Sequence, residues 1–321
     1  MAATLALATG RFAEAARLAR EGFKLFSDMG HPAAFGALAV ILSQSGAHIG
    51  MDRAGLVDLF DHIPAHLRPE AVDTTQGVAT IFPALTLTMI RLHQGDRAGA
   101  EAALALAGPI RSWTPSPAMR MAAWGHALMV AIDLGRTQDI EFLASQLEPF
   151  RGQHAANGAG SGVYLGPVEL QTGLAAAALG RLDAAVRDLE AAVSICDANG
   201  ARGYAVQARV ELAAVLTRRG HLSTAQVVLD AAAGEAQQLG MVPFTKRIEQ
   251  LRARLPATSA GRSPLSPREV EVAQLVARGL TNKQIGETLF VSERTAENHV
   301  QHILVKLGFS NRSQIAAWSR Q

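Results

Sequence analysis

Cysteine is almost missing from this 321-residue sequence: Cys196 stands alone. One thiol excludes an intrachain disulfide framework and any metal site made wholly of cysteines, and it fits a reducing cytoplasm. Cys196 falls on the apolar face of an expected helix, where a buried thiol is the plain reading. Aromatic residues are scarce as well, at 5%. With alanine and leucine dominant, that scarcity favours many helices in close contact over large sheets. Long apolar runs are lacking too, since Pro32–Leu42 is too short to span a bilayer. No basic segment precedes the opening Met1–Ala8, as a secretory signal would require.

Motifs that carry chemistry are equally thin. The glycine-rich stretch Gly152–Gly166 has no Gly-Lys-Ser/Thr ending to reach a bound triphosphate, and reads as an ordinary inter-helix loop. No other stretch offers a Walker-type lysine. His-Glu-x-x-His is absent, and His31, His48, His62, His66 and His93 have no partner visible in the sequence. The expectation is therefore no catalytic residue, no metal and no cofactor.

Charge is unevenly spread. Residues 262–321 hold eight Lys/Arg against five Glu, a net +3, which leaves −1 for residues 1–261. The positive excess sits where a nucleic-acid contact would want it.

The front of the chain repeats itself. Segments starting at Gly10, Gly180 and Gly220 share an apolar residue two positions on (Phe12, Leu182, Leu222) and a small one at the fifth (Ala15, Ala185, Ala225). Each reaches a second glycine, Gly30, Gly200 or Gly240. Glycines at such intervals suit helix C-caps and tight turns. Between Gly200 and Gly220, the residues Ala205, Ala208, Leu212, Ala213 and Leu216 form one stripe at helical spacing. The unit is a helical hairpin of about 40 residues, with weaker copies marked by Gly95 and Gly135. Tandem hairpins of this kind resemble the tetratricopeptide class, whose solenoids offer a concave face to partners. Proline-bearing stretches at 46–75 (Pro64, Pro69) and 108–118 interrupt the pattern.

The final sixty residues obey a different grammar. Pro256 ends the last repeat helix, and 256–264 read as a linker. Ser266-Pro-Arg-Glu269 then offers a helix N-cap, proline at the first helical position and a glutamate able to bond back. Gly279 stops that helix. Thr281-Asn-Lys-Gln284 opens a second around Ile285 and Leu289, and Ser292 with Thr295 opens a third, Glu293 to Leu307, with Ala296, Val300, Ile303, Leu304 and Leu307 inward. Ser310 or Asn311 caps a short fourth through Ile315 and Trp318. A short turn between the second and third helices makes this a helix-turn-helix pattern. On patterning alone, a small helical bundle that binds protein stays open.

The blocks Leu265–Val272, Gly279–Leu289, Val291–Val300 and Ile303–Arg312 closely resemble the LuxR/GerE-type DNA-binding domain, in order and at its spacing. The front part is similar, more loosely, to the helical region of large ATP-binding LuxR-type regulators, without their ATPase module. That resemblance implies a shortened member or a piece of a longer chain. The expected architecture is all-α: a tetratricopeptide-like solenoid over 1–255, a linker over 256–264, and a four-helix DNA-binding domain over 265–321.

The resemblance implies that the third helix enters the major groove of double-stranded DNA with Glu297, Asn298 and Gln301 on base edges. Asn and Gln pair with adenine and Glu accepts from cytosine, each good contact contributing roughly 1–3 kcal/mol of discrimination. Glu297 departs from the lysine common in relatives. Phosphate contacts would fall to Thr281, Asn282, Lys283, Ser292, Arg294, Thr295 and Lys306, aided by amides at helix starts. Arg268 and Glu269 read as structural. His299 and His302, three apart on one helix, lack further ligands, so phosphate proximity or packing explains them better than a metal. Ile315 and Trp318 would form the family's dimer surface, giving a homodimer on DNA. The leading reading is a cytoplasmic, non-enzymatic transcription regulator whose repeats receive a small ligand or protein effector. The alternative is a helical-repeat scaffold that its C-terminal domain merely tethers.

Overall fold

A computed structural model of the chain describes residues 2–28, 41–42, 44–50, 78–156, 164–255, 265–307, 309 and 311–319. The expected linker 256–264 lies outside the described residues, as do Gly30, His31, His62, Pro64, His66, Pro69 and Ser310. Two compact units make up the chain, Met1–Leu255 and Pro256–Gln321.

The front unit begins with α1 (Ala2–Ala8) and α2 (Phe12–Asp28), followed by a helical stretch at 44–49. Next come α3 (Val78–Gln94), α4 (Arg97–Ala105), α5 (Arg120–Asp133) and α6 (Thr137–Leu147). A hairpin of β1 (His154–Ala156) and β2 (Tyr164–Pro167) leads into α7 (Val168–Ala178), α8 (Leu182–Ala198), α9 (Arg202–Arg218), α10 (Leu222–Gln238) and α11 (Val242–Arg252). From α7 to α11 each helix packs on the next.

One device makes these reversals. Gly180, Gly200, Gly220 and Gly240 sit in the connections with φ of 73°, 67°, 78° and 65°. The amide after each glycine donates to a carbonyl in the last turn: Arg181 to Ala176, Ala201 to Cys196, His221 to Leu216 and Met241 to Ala236, at 2.8–2.9 Å. This is the Schellman cap, which satisfies orphan carbonyls and needs a residue at ease with positive φ.

Two apolar cores fill the unit. One joins α3 to α6 with Ala155, Leu165, Val168 and Ala175, and stacks Trp113 on Trp124. The other joins α1 and α2 to α7 through α11 around Leu170, Leu189, Tyr204, Leu229 and Met241, with Cys196 buried inside it.

Two features of the front unit lie beyond the local sequence pattern. The all-helical pattern is broken at the stretch read as a loop, where β1 and β2 pair antiparallel, His154 with Pro167 and Ala156 with Tyr164. Every residue of β2 is buried. Gly166 permits this, because at φ 81° a Cβ there would lie 2.8 Å from the Tyr204 ring.

The second feature is the cover on α9. At its start α9 is covered by the chain's own N-terminal helices: a Cβ on Gly203 would fall 2.2 Å from Phe12 Cζ, so the tip of the ring abuts the helix backbone. His48 stacks on Phe12 at 4.3 Å and lies 4.9 Å from Tyr204. Polar atoms thread this contact. His48 Nδ1 donates to Gln44 O at 2.8 Å, and its Nε2 lies 3.2 Å from Gln207 Oε1. Gln44 reaches His126 Nε2 at 3.2 Å, while Tyr204 donates to Tyr164 O at 2.7 Å. Burial lowers both His48 and His126 to about 4, so both rings are neutral near pH 7.

The C-terminal unit holds α12 (Pro267–Ala277), α13 (Asn282–Leu289), α14 (Glu293–Leu307) and α15 (Arg312–Trp318). Leu265, Val272, Ala273, Leu275, Val276, Ile285, Ala296, Val300, Ile303 and Ile315 form its core. Among the described residues no helix is long and apolar enough to cross a membrane.

Candidate nucleic-acid interface

Side-chain caps define the starts of these four helices. Ser266 Oγ accepts from the Glu269 amide at 3.3 Å, while Glu269 Oε2 accepts from the Ser266 amide at 2.7 Å. Thr281 and Gln284 repeat that reciprocal box. Ser292 Oγ accepts from the Thr295 amide at 3.1 Å, and Asn311 exchanges bonds with Gln314. Each box satisfies two donors that a helix start otherwise leaves bare.

The turn from α13 to α14 is Phe290–Ser292. Phe290 takes φ 56° and ψ 42°, and Val291 N donates to Gly286 O at 2.9 Å. Helix and turn touch so closely that a Cβ on Gly286 would lie 2.8 Å from Val291 O. Glycine therefore sets the tight approach.

On α14, Ala296, Val300 and Ile303 are buried, whereas Arg294, Glu297, Asn298, Gln301 and His302 are exposed. At 100° per residue Arg294, Asn298 and Gln301 point away from the core, with Glu297 at the edge of that face. The three residues expected on base edges are thus exposed on one helix, and none of them bonds to another side chain among the described residues. Thr281, Lys283, Ser292 and Arg294 are exposed as well, while Asn282 and Thr295 are half-buried.

Three assignments change. Lys306 Nζ lies 2.7 Å from Glu269 Oε2, so it ties the end of α14 to the cap of α12 and is not a free phosphate contact. Burial opposes the charge on Glu269, but Lys306 and the Ser266 bonds outweigh it and hold the carboxyl at about 2. Ile315 is fully buried in the unit's own core, and Trp318 is half-buried against it. So short a helix needs its apolar face to close the core, and Ile315 cannot present a dimer surface. Asn282 Oδ1 accepts from Arg312 Nη1 at 2.7 Å, and Arg312 also donates to Leu280 O. Arg312 thereby clamps the start of α13, a role that local sequence does not signal because its partners lie thirty residues away. Arg268 is structural as expected, bridging Glu271 and Leu289 O. No group of three metal-ligating side chains occurs among the described residues.

Capped helices, a tight left-handed turn and an outward polar stripe define a helix-turn-helix unit. Residues 263–319 match the family described as bacterial regulatory proteins of the luxR family. The transcriptional regulatory protein LiaR of Bacillus subtilis is 44% identical over 57 residues, 18% of this chain and 27% of that protein. The nitrate/nitrite response regulator protein NarL of Escherichia coli is 38% identical over 71 residues, 22% of this chain and 33% of NarL. The oxygen regulatory protein NreC of Staphylococcus aureus is 44% identical over 55 residues, 17% and 25% of the two chains. The chain thus spans a third or less of the length of these relatives. The C-terminal unit is homologous to the helix-turn-helix domain of this family. No solved structure is significantly similar to the chain.

Proposed function

We propose that the chain is a sequence-specific DNA-binding regulator of transcription, non-enzymatic and cytoplasmic. The carrying observation is the exposed stripe of Arg294, Asn298 and Gln301 on α14, opposite the buried Ala296, Val300 and Ile303. Asn298 and Gln301 read base edges, joined by Glu297 where a cytosine amine is offered. Thr281, Lys283, Ser292, Arg294 and Thr295 hold phosphates together with the first amides of α13 and α14. Asn282, engaged by Arg312, contributes its backbone amide. The regulator binds two half-sites as a homodimer. Its front unit, a tetratricopeptide-like array of helical hairpins, receives a small-molecule or protein effector. The repeating glycine caps support the array, and the homology of the C-terminal unit supports the DNA-reading role.

Selection from a random DNA pool, followed by footprinting, tests the reading. A salt-dependent, selective footprint is expected. Asn298→Ala and Gln301→Ala each cost about 1–3 kcal/mol on the selected site and relax specificity at one position. Lys283→Ala and Arg294→Ala weaken binding on all sequences and lower the salt slope by about 1 each. Weak binding that is uniform across sequences would instead favour a tethered scaffold.

A further inference from the structure

We infer that Val305 reads the 5-methyl group of a thymine, extending the base-reading stripe of α14 past Gln301. The inference rests on the reading of α14 as the groove helix.

Val305 is 72% exposed, a large apolar side chain on the outside of the unit. It belongs to neither the buried core of this unit nor the apolar residues packed around that core. A β-branched side chain also gives up rotamer freedom in a helix, so local helix stability does not explain its presence. Its direction is informative. Counting 100° per residue, Val305 projects within about 20° of Asn298 and 40° of Gln301, and nearly opposite Ala296 and Val300. Arg294, Asn298, Gln301 and Val305 are therefore one continuous strip, and Val305 is its apolar member.

A strip of this composition suits one surface in particular. The major-groove edge of an A·T pair offers an acceptor and a donor on adenine and a methyl group on thymine. Asn298 and Gln301 supply the amide partners for adenine, and a branched aliphatic side chain is the partner for the methyl. Seven residues separate Asn298 from Val305, a rise of about 10.5 Å along the helix. At about 3.4 Å per step along one strand, that is roughly three base pairs. Val305 thus addresses a thymine about three pairs from the base read by Asn298, and the target carries A·T pairs at both places.

The test uses the full-length chain and its selected DNA site, with each thymine replaced in turn by deoxyuridine, which removes the methyl alone. The wild type is expected to lose about fourfold in affinity at one thymine, roughly three pairs from the position relaxed by Asn298→Ala. Val305→Ala should bind that uridine site and its thymine parent equally while keeping its other preferences. Alanine is the better helix former, so the variant folds. If the wild type tolerates uridine at every position, or if Val305→Ala leaves the uridine penalty unchanged, the inference is overturned. A Val305→Ala chain that changes its oligomeric state while keeping the uridine penalty assigns the side chain to a protein contact, which also overturns it. Absence of any selective binding by the wild type is a separate result, and brings down the reading of α14 itself.

Discussion

Phe290 is the one non-glycine residue with positive φ among the described residues, and its side chain is 96% exposed. The left-handed region costs an ordinary residue roughly 1–2 kcal/mol, and no packing offsets that cost here. The turn imposes it, because α13 must stop and the chain must reorient within three residues to start α14 at Glu293. Asparagine enters this region more readily. Phe290→Asn is expected to stabilise the C-terminal unit by about 1 kcal/mol, read by calorimetry as a higher melting temperature for that unit alone. At this scale the caps were legible in the sequence, since Ser266 with Glu269 and Thr281 with Gln284 bond across only three positions. The roles of Lys306 and Ile315 were not. Lys306 looks like any exposed cation until the fold brings Glu269 to it from 37 residues away. Ile315 looks like a surface anchor until four short helices have to share one core.

Among elements, the twenty-residue rhythm of glycines translated directly into three-residue connections and repeated caps. Gly220 isolates the conformational part of that device. It stands at φ 78°, and a Cβ there would meet nothing within 4 Å. Gly220→Ala is expected to cost about 1 kcal/mol from backbone strain. Gly203→Ala should cost more, since its Cβ would collide with Phe12 although its own backbone is helical. Urea unfolding of the two variants tests that order. The hairpin of β1 and β2 was hidden because its glycine-rich stretch carries no alternation of apolar and polar residues. A strand buried on both faces shows none.

Over the whole molecule, burial of polar residues in the front unit has a consequence for acid stability. His48 and His126 titrate near 6.5 when unfolded and near 4 when folded. The unfolded chain therefore binds more protons between those values, and stability falls as pH drops from about 6.5 towards 4. The two rings together could cost several kcal/mol, on the order of 3 each. Urea midpoints for the front unit at about pH 5 and about pH 7.5 should differ markedly. The double variant His48→Gln, His126→Gln should show a much flatter pH dependence, whatever its absolute stability. Neither ring could be ranked above the other histidines beforehand, because the partners of His48 come from residues 12, 44, 204 and 207.

Helix ends such as Gly180, Gly220, Ser266 and Thr281 could be read from the chain alone, because glycine caps, N-caps and amphipathic stripes act over a few residues. The resemblance to the LuxR/GerE-type domain named Glu297, Asn298 and Gln301, and the fold leaves all three exposed on α14. Long-range packing brought the N-terminal helices over the start of α9, buried β2, and put Lys306 and Ile315 at the service of the fold. It also left Val305 bare on the same strip. These outcomes depend on which distant segments meet, and burial, ion pairing and close backbone approach exist only once they do.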